Sequence, residues 1–234
     1  MVEGDGLENR SAKAPGVRIP PPPPTEAAIE GARRRLEELL EKHGLLLLHD
    51  ARFPSATASI AGEAIRGSWW GHPKGKLIFE TLSRIEDAVA WAKLIAGKET
   101  LVHERLWPAL VATAEARQVW QLGGLPTDAK RLLQWVRKGR PVQIGAKSAM
   151  TGRKPAVVAS DLERRLLARG YTEHTPAGRH ARFLETWAAW AGRHGITKAR
   201  LPAAADAIQA LSTPVLAWAH DTRPAGLLPW LATG

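Results

Sequence analysis

Residues 159–187 read ASDLERRLLARGYTEHTPAGRHARFLETW, and their pattern decides the fold expected of the chain. Ser160, Asp161, Leu162 and Glu163 form a capping-box sequence: the serine side chain takes a backbone N–H and the glutamate reaches back to the cap. The helix so begun turns Leu162, Leu166 and Leu167 inward, and Gly170 is its expected stop. Arg164, Arg165 and Arg169 fall on its wet side. Residues 171–175 then alternate as a strand does. Pro176, Ala177 and Gly178 turn the chain, and residues 179–184 return as a second strand. A basic helix followed by a Gly-tipped hairpin is the local prediction.

Upstream, Thr127 or Asp128 opens a helix to about Lys138, with Leu132, Leu133 and Val136 inward and Gly139 as its end. Residues 141–144 are short and extended. Residues 145–155 are small, polar and basic, and Gly152 and Pro155 interrupt any helix ahead of Ser160. Charge concentrates here. The chain of 234 residues carries a net +10, yet residues 128–200 alone hold 16 Lys or Arg against 5 Asp or Glu, and the remainder is close to neutral. Such segregation speaks of partners rather than fold. Polyanions are the usual partners, because each neutralised phosphate releases counterions. A basic face kept for solubility, or an anionic protein partner, gives the same count.

The order helix, short strand, small linker helix, basic helix and hairpin resembles a winged helix-turn-helix, over residues 127–188. The resemblance implies a second helix in the DNA major groove and a hairpin against the minor groove or backbone. It assigns Arg164, Arg165 and Arg169 to the groove helix, Arg179, His180 and Arg182 to the hairpin, and Arg153 and Lys154 to the approach. Neighbours on a helix lie about 100° apart, so Arg164 and Arg165 divide between base and phosphate.

Outward from this segment, residues 1–24 read as a disordered leader ending in five prolines, with no apolar core of a secretory signal. Thr25 caps a helix with Ile29, Leu36, Leu39 and Leu40 inward and Gly44 as its stop. Residues 45–48 read as a buried strand, 55–66 as a short helix, 77–85 as another, and 88–95 with 100–102 as a hairpin. A helix follows from Leu106, and Gly123 and Gly124 mark a boundary. Helices over 183–195 and 201–211, and an apolar tail with Trp218 and Trp230, brace the basic unit or form a homodimer contact. The expected fold is α+β and mostly helical: a leader (1–24), an N-terminal α+β domain (25–122), a winged-helix-like basic domain (125–190) and bracing helices (191–234).

The loop 67–76, GSWWGHPKGK, sets Trp69 and Trp70 beside His72, Lys74 and Lys76. Flat rings next to cations suit a stacked base with its phosphate held nearby. The plainer reading is that one tryptophan plugs the core.

Three functions fit. The first is a DNA-binding protein without chemistry. The second is a DNA-processing enzyme, such as a base-excision repair glycosylase of winged-helix architecture, with its active site in the N-terminal half. Trp69 or Trp70 would stack a flipped base, Lys74, Lys76 or Lys98 would act on sugar or phosphate, and His72, His103 and Glu104 would be acid–base groups. The glutamine–x–glutamine pair of one such glycosylase family is absent. The third is a protein-interaction module using the proline tract.

Exclusions are firmer. The absence of cysteine removes disulfides and thiolate metal sites and suits a reducing compartment, so a cytoplasmic location is expected. His103 and Glu104 lack the second histidine of H-E-x-x-H, and no Walker loop, dinucleotide glycine fingerprint or G-x-S-x-G elbow occurs. No metal or cofactor is expected, and no apolar run reaches membrane-spanning length.

Overall fold

The computed structural model describes residues 22–145, 153–174, 180–219 and 226–231. Most of the leader, and Arg179 at the expected hairpin tip, lie outside these residues.

The Thr25 hydroxyl accepts from Ala28 N at 3.3 Å and starts α1 (Glu26–His43), a cap worth about 1 kcal/mol. Ile29, Ala32, Leu36 and Leu40 make its buried stripe, and Gly44 ends it at φ 75°, where a side chain would be strained. β1 (Leu45–Leu47) is wholly buried. α2 (Ala56–Ala61) and α3 (Gly75–Arg84) follow, then a hairpin of β2 (Ala90–Lys93) and β3 (Glu99–Val102). β3 lies in the middle of this antiparallel sheet, with Leu101 opposite both Leu46 and Trp91. One face of the sheet packs on α1, α2 and α3 through Leu36, Leu46, Ile60, Trp69, Ile78 and Leu101.

α4 (Trp107–Glu115) and α5 (Val119–Leu122) lead into the second half. There α6 (Thr127–Val136), β4 (Val142–Gln143) and α7 (Pro155–Arg164) precede a hairpin of β5 (Arg169–His174) and β6 (His180–Glu185). The sheet order is β4-β6-β5, so again the third strand is central. The two sheets thus share a strand order, although two helices, α2 and α3, separate β1 from its hairpin and only α7 separates β4 from its own among the described residues. Leu132, Val136, Val158, Leu162 and Leu184 form the second core. The chain then adds α8 (Trp187–Arg193) and α9 (Ala204–Trp218). These pack on α4 and the other face of the first sheet, in a third core that holds Leu45, Val102, Leu110, Leu166, Trp187, Trp190 and Leu211.

The protein is α+β and mostly helical, with two small antiparallel sheets and nine α-helices among the described residues. None of those helices is long and apolar enough to cross a membrane.

Several local expectations are corrected. α7 begins at Pro155, not Ser160, because proline at the first helical position gives up an N–H that has no partner there anyway. Ser160 therefore lies mid-helix and caps nothing. α7 ends at Arg164, not at Gly170: Leu166 adopts φ 52° and Leu167 N returns to Leu162 O at 2.8 Å. Gly170 belongs to β5, where a Cβ would collide with the Glu163 carboxylate. Phe183 and Leu184 are strand residues, and α8 starts only after Thr186, whose hydroxyl caps Ala189 N at 3.1 Å. α9 runs past Leu211, through Pro214, to Trp218.

Candidate nucleic-acid interface

The second half spends most of its expected groove arginines internally. Arg153 forks onto Asp128 (2.7 and 2.9 Å) and reaches Asp161 at 2.6 Å, which ties the start of α7 to α6. That guanidinium holds the Asp128 carboxyl down at about 2. Arg165 donates to the carbonyls of Trp120 (3.2 Å), Gln121 (3.1 Å) and Gly123 (2.7 Å), closing the end of α5. Arg169 is a strand residue; it pairs with Glu185 at 2.8 Å and lies against the Tyr171 and Trp190 rings. Arg182 pairs with Glu163. Arg164 lies along Gly97 of the first hairpin. Of the cations expected in this half, Lys154 and Arg164 are exposed without an ion pair among the described residues. His180 is exposed at the start of β6.

The unpaired charge emerges elsewhere. On α6 the buried stripe Ala129, Leu132, Leu133 and Val136 forces Lys130, Arg131 and Gln134 to the opposite face, and Lys138 and Arg140 continue just beyond the helix. All four cations are exposed, and none holds an ion pair among the described residues. Sequence reading passed over this stripe in favour of the arginine-rich stretch downstream. The three-to-four spacing of Lys130, Gln134 and Lys138, out of phase with the leucines, was the available signal.

The tryptophan loop divides its two rings. Trp69 fills the first core and is 9% exposed, whereas Trp70 is 66% exposed. Their rings stack at 3.9 Å, so Trp70 has one face covered and one face open. Phe79 of α3, 48% exposed, comes to 5.9 Å from Trp70 and widens the platform. Phe79 falls one step off the inward stripe Ile78, Leu82 and Ile85, a phase that places it outside. Gly75 permits this packing, because a Cβ there would press on the Trp69 and Trp70 carbonyls at 3.1 Å. Lys76, one helical turn before Phe79, is exposed and has no partner among the described residues, while Lys74 donates to Ala61 O and faces Glu63 at 3.8 Å.

The acid–base candidates do not converge. His72 Nδ1 accepts from Lys74 N at 3.2 Å, and its Nε2 lies 3.7 Å from Glu63. His103 accepts from Arg105 N at 3.4 Å at the end of β3, and Glu104 is exposed beside it. Lys98 pairs with Asp50 at 2.7 Å. None of these residues lines the cleft between the two hairpins or the recesses beside α4 and α8. Among the described residues no three His, Asp or Glu gather as a metal-holding group.

A cleft of about 450 Å³ separates the two hairpins, lined by Trp91, Lys93, Glu99, Glu163, Tyr171 and Arg182. Its charges answer one another: Lys93 sits between Glu163 (3.2 Å) and Glu99 (3.8 Å), and Arg182 closes on Glu163. Burial, and then the neighbouring Glu163, push the Glu99 carboxyl up against the pull of Lys93. The arrangement is a seam between halves rather than an open anion site.

No protein-family model, curated protein or solved structure matches the chain.

Proposed function

We propose that the protein binds nucleic acid, duplex DNA foremost, through the second half. The observation that carries this reading is the unpaired cationic stripe of Lys130, Arg131, Lys138 and Arg140 on and after α6. Phosphates attract such a stripe by counterion release, and among the described residues no carboxylate pairs with it. Two further features support it. A helix, a short strand and a hairpin whose return strand is central accord with a winged-helix reading. Trp70, Phe79 and Lys76 offer a ring with one open face beside a cation, as base stacking requires.

Fluorescence anisotropy of a labelled duplex, titrated between roughly 50 and 300 mM salt, tests the reading. Affinity is expected to fall steeply with salt, and K130E/R131E to weaken binding and flatten the log–log slope by about 2. Both residues are exposed, so the fold tolerates the change. Binding indifferent to salt, or a double variant with unaltered slope, refutes the proposal.

A further inference from the structure

Beside α4, α8 and the turn Lys198–Arg200 leave a groove of about 450 Å³. Its apolar lining is Val111, Ala188, Ala191, Ile196 and Leu201. On α8 the large side chains Trp187 and Trp190 turn into the core, so the groove meets only the small Ala188 and Ala191. Arg117 and Lys198 line it with a single acid, Glu115. Past Arg117 and Glu115 a second recess of about 260 Å³ continues to Arg137, just beyond α6. Unlike the cations of the hairpin seam, Arg117, Arg137 and Lys198 have no ion pair among the described residues. Arg117 and Lys198 thus face one carboxylate over the apolar floor of the groove, and Arg137 adds a third cation in the adjoining recess.

Arg117 is also held at φ 51°, a left-handed conformation that L-residues rarely adopt. The short turn between α4 and α5 imposes it and sets the guanidinium where the two recesses meet. Such outliers cluster at sites that hold ligands. Arg137 feels the crowding: partial burial first, and the Arg117 charge second, pull its pKa down.

We propose that this groove binds a small amphipathic anion, a carboxylate on an apolar body, whose headgroup meets Arg117 and whose body lies along Val111, Ala191 and Ile196. The volume falls in the usual range of small-molecule sites. The site is independent of the stripe on α6, yet it touches α4, α8 and the residue after α6, and so spans both halves of the chain.

Isothermal titration of the full chain with decanoate, decanol and decyltrimethylammonium tests it. Decanoate is expected to bind saturably and more tightly than the other two. Arg117→Gly is expected to weaken decanoate about tenfold, the loss of one charge-assisted contact, while glycine relieves the backbone and keeps the fold. Ala188→Trp, at an exposed position on the groove wall, is expected to abolish binding with the circular dichroism unchanged. No saturable heat with decanoate, equal binding of decanol, or undiminished binding by Arg117→Gly overturns the proposal.

Discussion

Lys93 Nζ lies 3.2 Å from the Glu163 carboxylate, and this contact fastens β2 of the first half to the last turn of α7 in the second. Arg182 of β6 closes on the same carboxylate, whose side chain is only 8% exposed. Removing a buried partner strands the charges that remain, at a cost of about 3–5 kcal/mol. Glu163→Gln is therefore expected to lower the urea midpoint strongly, whereas Glu173→Gln, at an exposed position, moves stability by under about 0.5 kcal/mol. Gly170→Ala is expected to resemble Glu163→Gln, since its methyl group would displace the same carboxylate. Equal midpoints for the two glutamate variants would contradict the assignment.

The Arg153–Asp128 fork carries a pH signature. Asp128 titrates at about 2 in the folded chain, below its ordinary value of 3.8. The pair's contribution is thus complete above pH 3.8 and fades as pH falls toward 2. Carbon-detected NMR of the Asp128 carboxyl is expected to show a midpoint near 2, and Arg153→Gln to return it toward 3.8.

Trp69 and Trp70 are adjacent in sequence and opposite in consequence. Trp69→Ala empties a buried site and is expected to cost about 3–5 kcal/mol of stability. Trp70→Ala is expected to cost under about 1 kcal/mol of stability and to weaken a single-stranded oligonucleotide by about 1–3 kcal/mol, one stacked base. Thermal melts and tryptophan-quenching titrations separate the two. A Trp70→Ala variant that binds oligonucleotide normally leaves the platform without a role.

Arg165 is expected to behave as a clamp. Arg165→Met orphans the carbonyls of Trp120, Gln121 and Gly123 and is expected to destabilise the chain by about 1–3 kcal/mol. Its duplex affinity, measured where the variant remains folded, is expected to match the parent. A selective loss of affinity would return Arg165 to the nucleic-acid interface.

Much of the architecture was legible because it is written locally. Thr25 and Gly44 bracket α1, the apolar run gives β1, and Gly97 marks the first hairpin. The failures have equally local causes. A mid-helix serine three residues before a glutamate mimics a cap, and Pro155 reads as a breaker although it occupies the one helical turn that accepts it. The fates of the arginines were not legible at all. Arg153 finds Asp128 across 25 residues, Arg165 finds Trp120 across 45, and Lys93 finds Glu163 across 70. A run of positive charge states how many cations exist, whereas tertiary pairing decides which remain available. The α6 stripe is masked because Leu132, Leu133 and Val136 separate the Lys130–Arg131 pair from Lys138 and Arg140 in the sequence.

The core beneath α4 draws Leu45 and Val102 from the first sheet, Leu166 from just past α7, and Trp187, Trp190 and Leu211 from the last two helices. Cutting the chain at Gly123 and Gly124 would leave each fragment with half of that apolar surface bare. The two halves, alike in strand order, share this core. They would be inherited, expressed and melted as a single cooperative body, and neither could be shuffled into another protein without its counterpart.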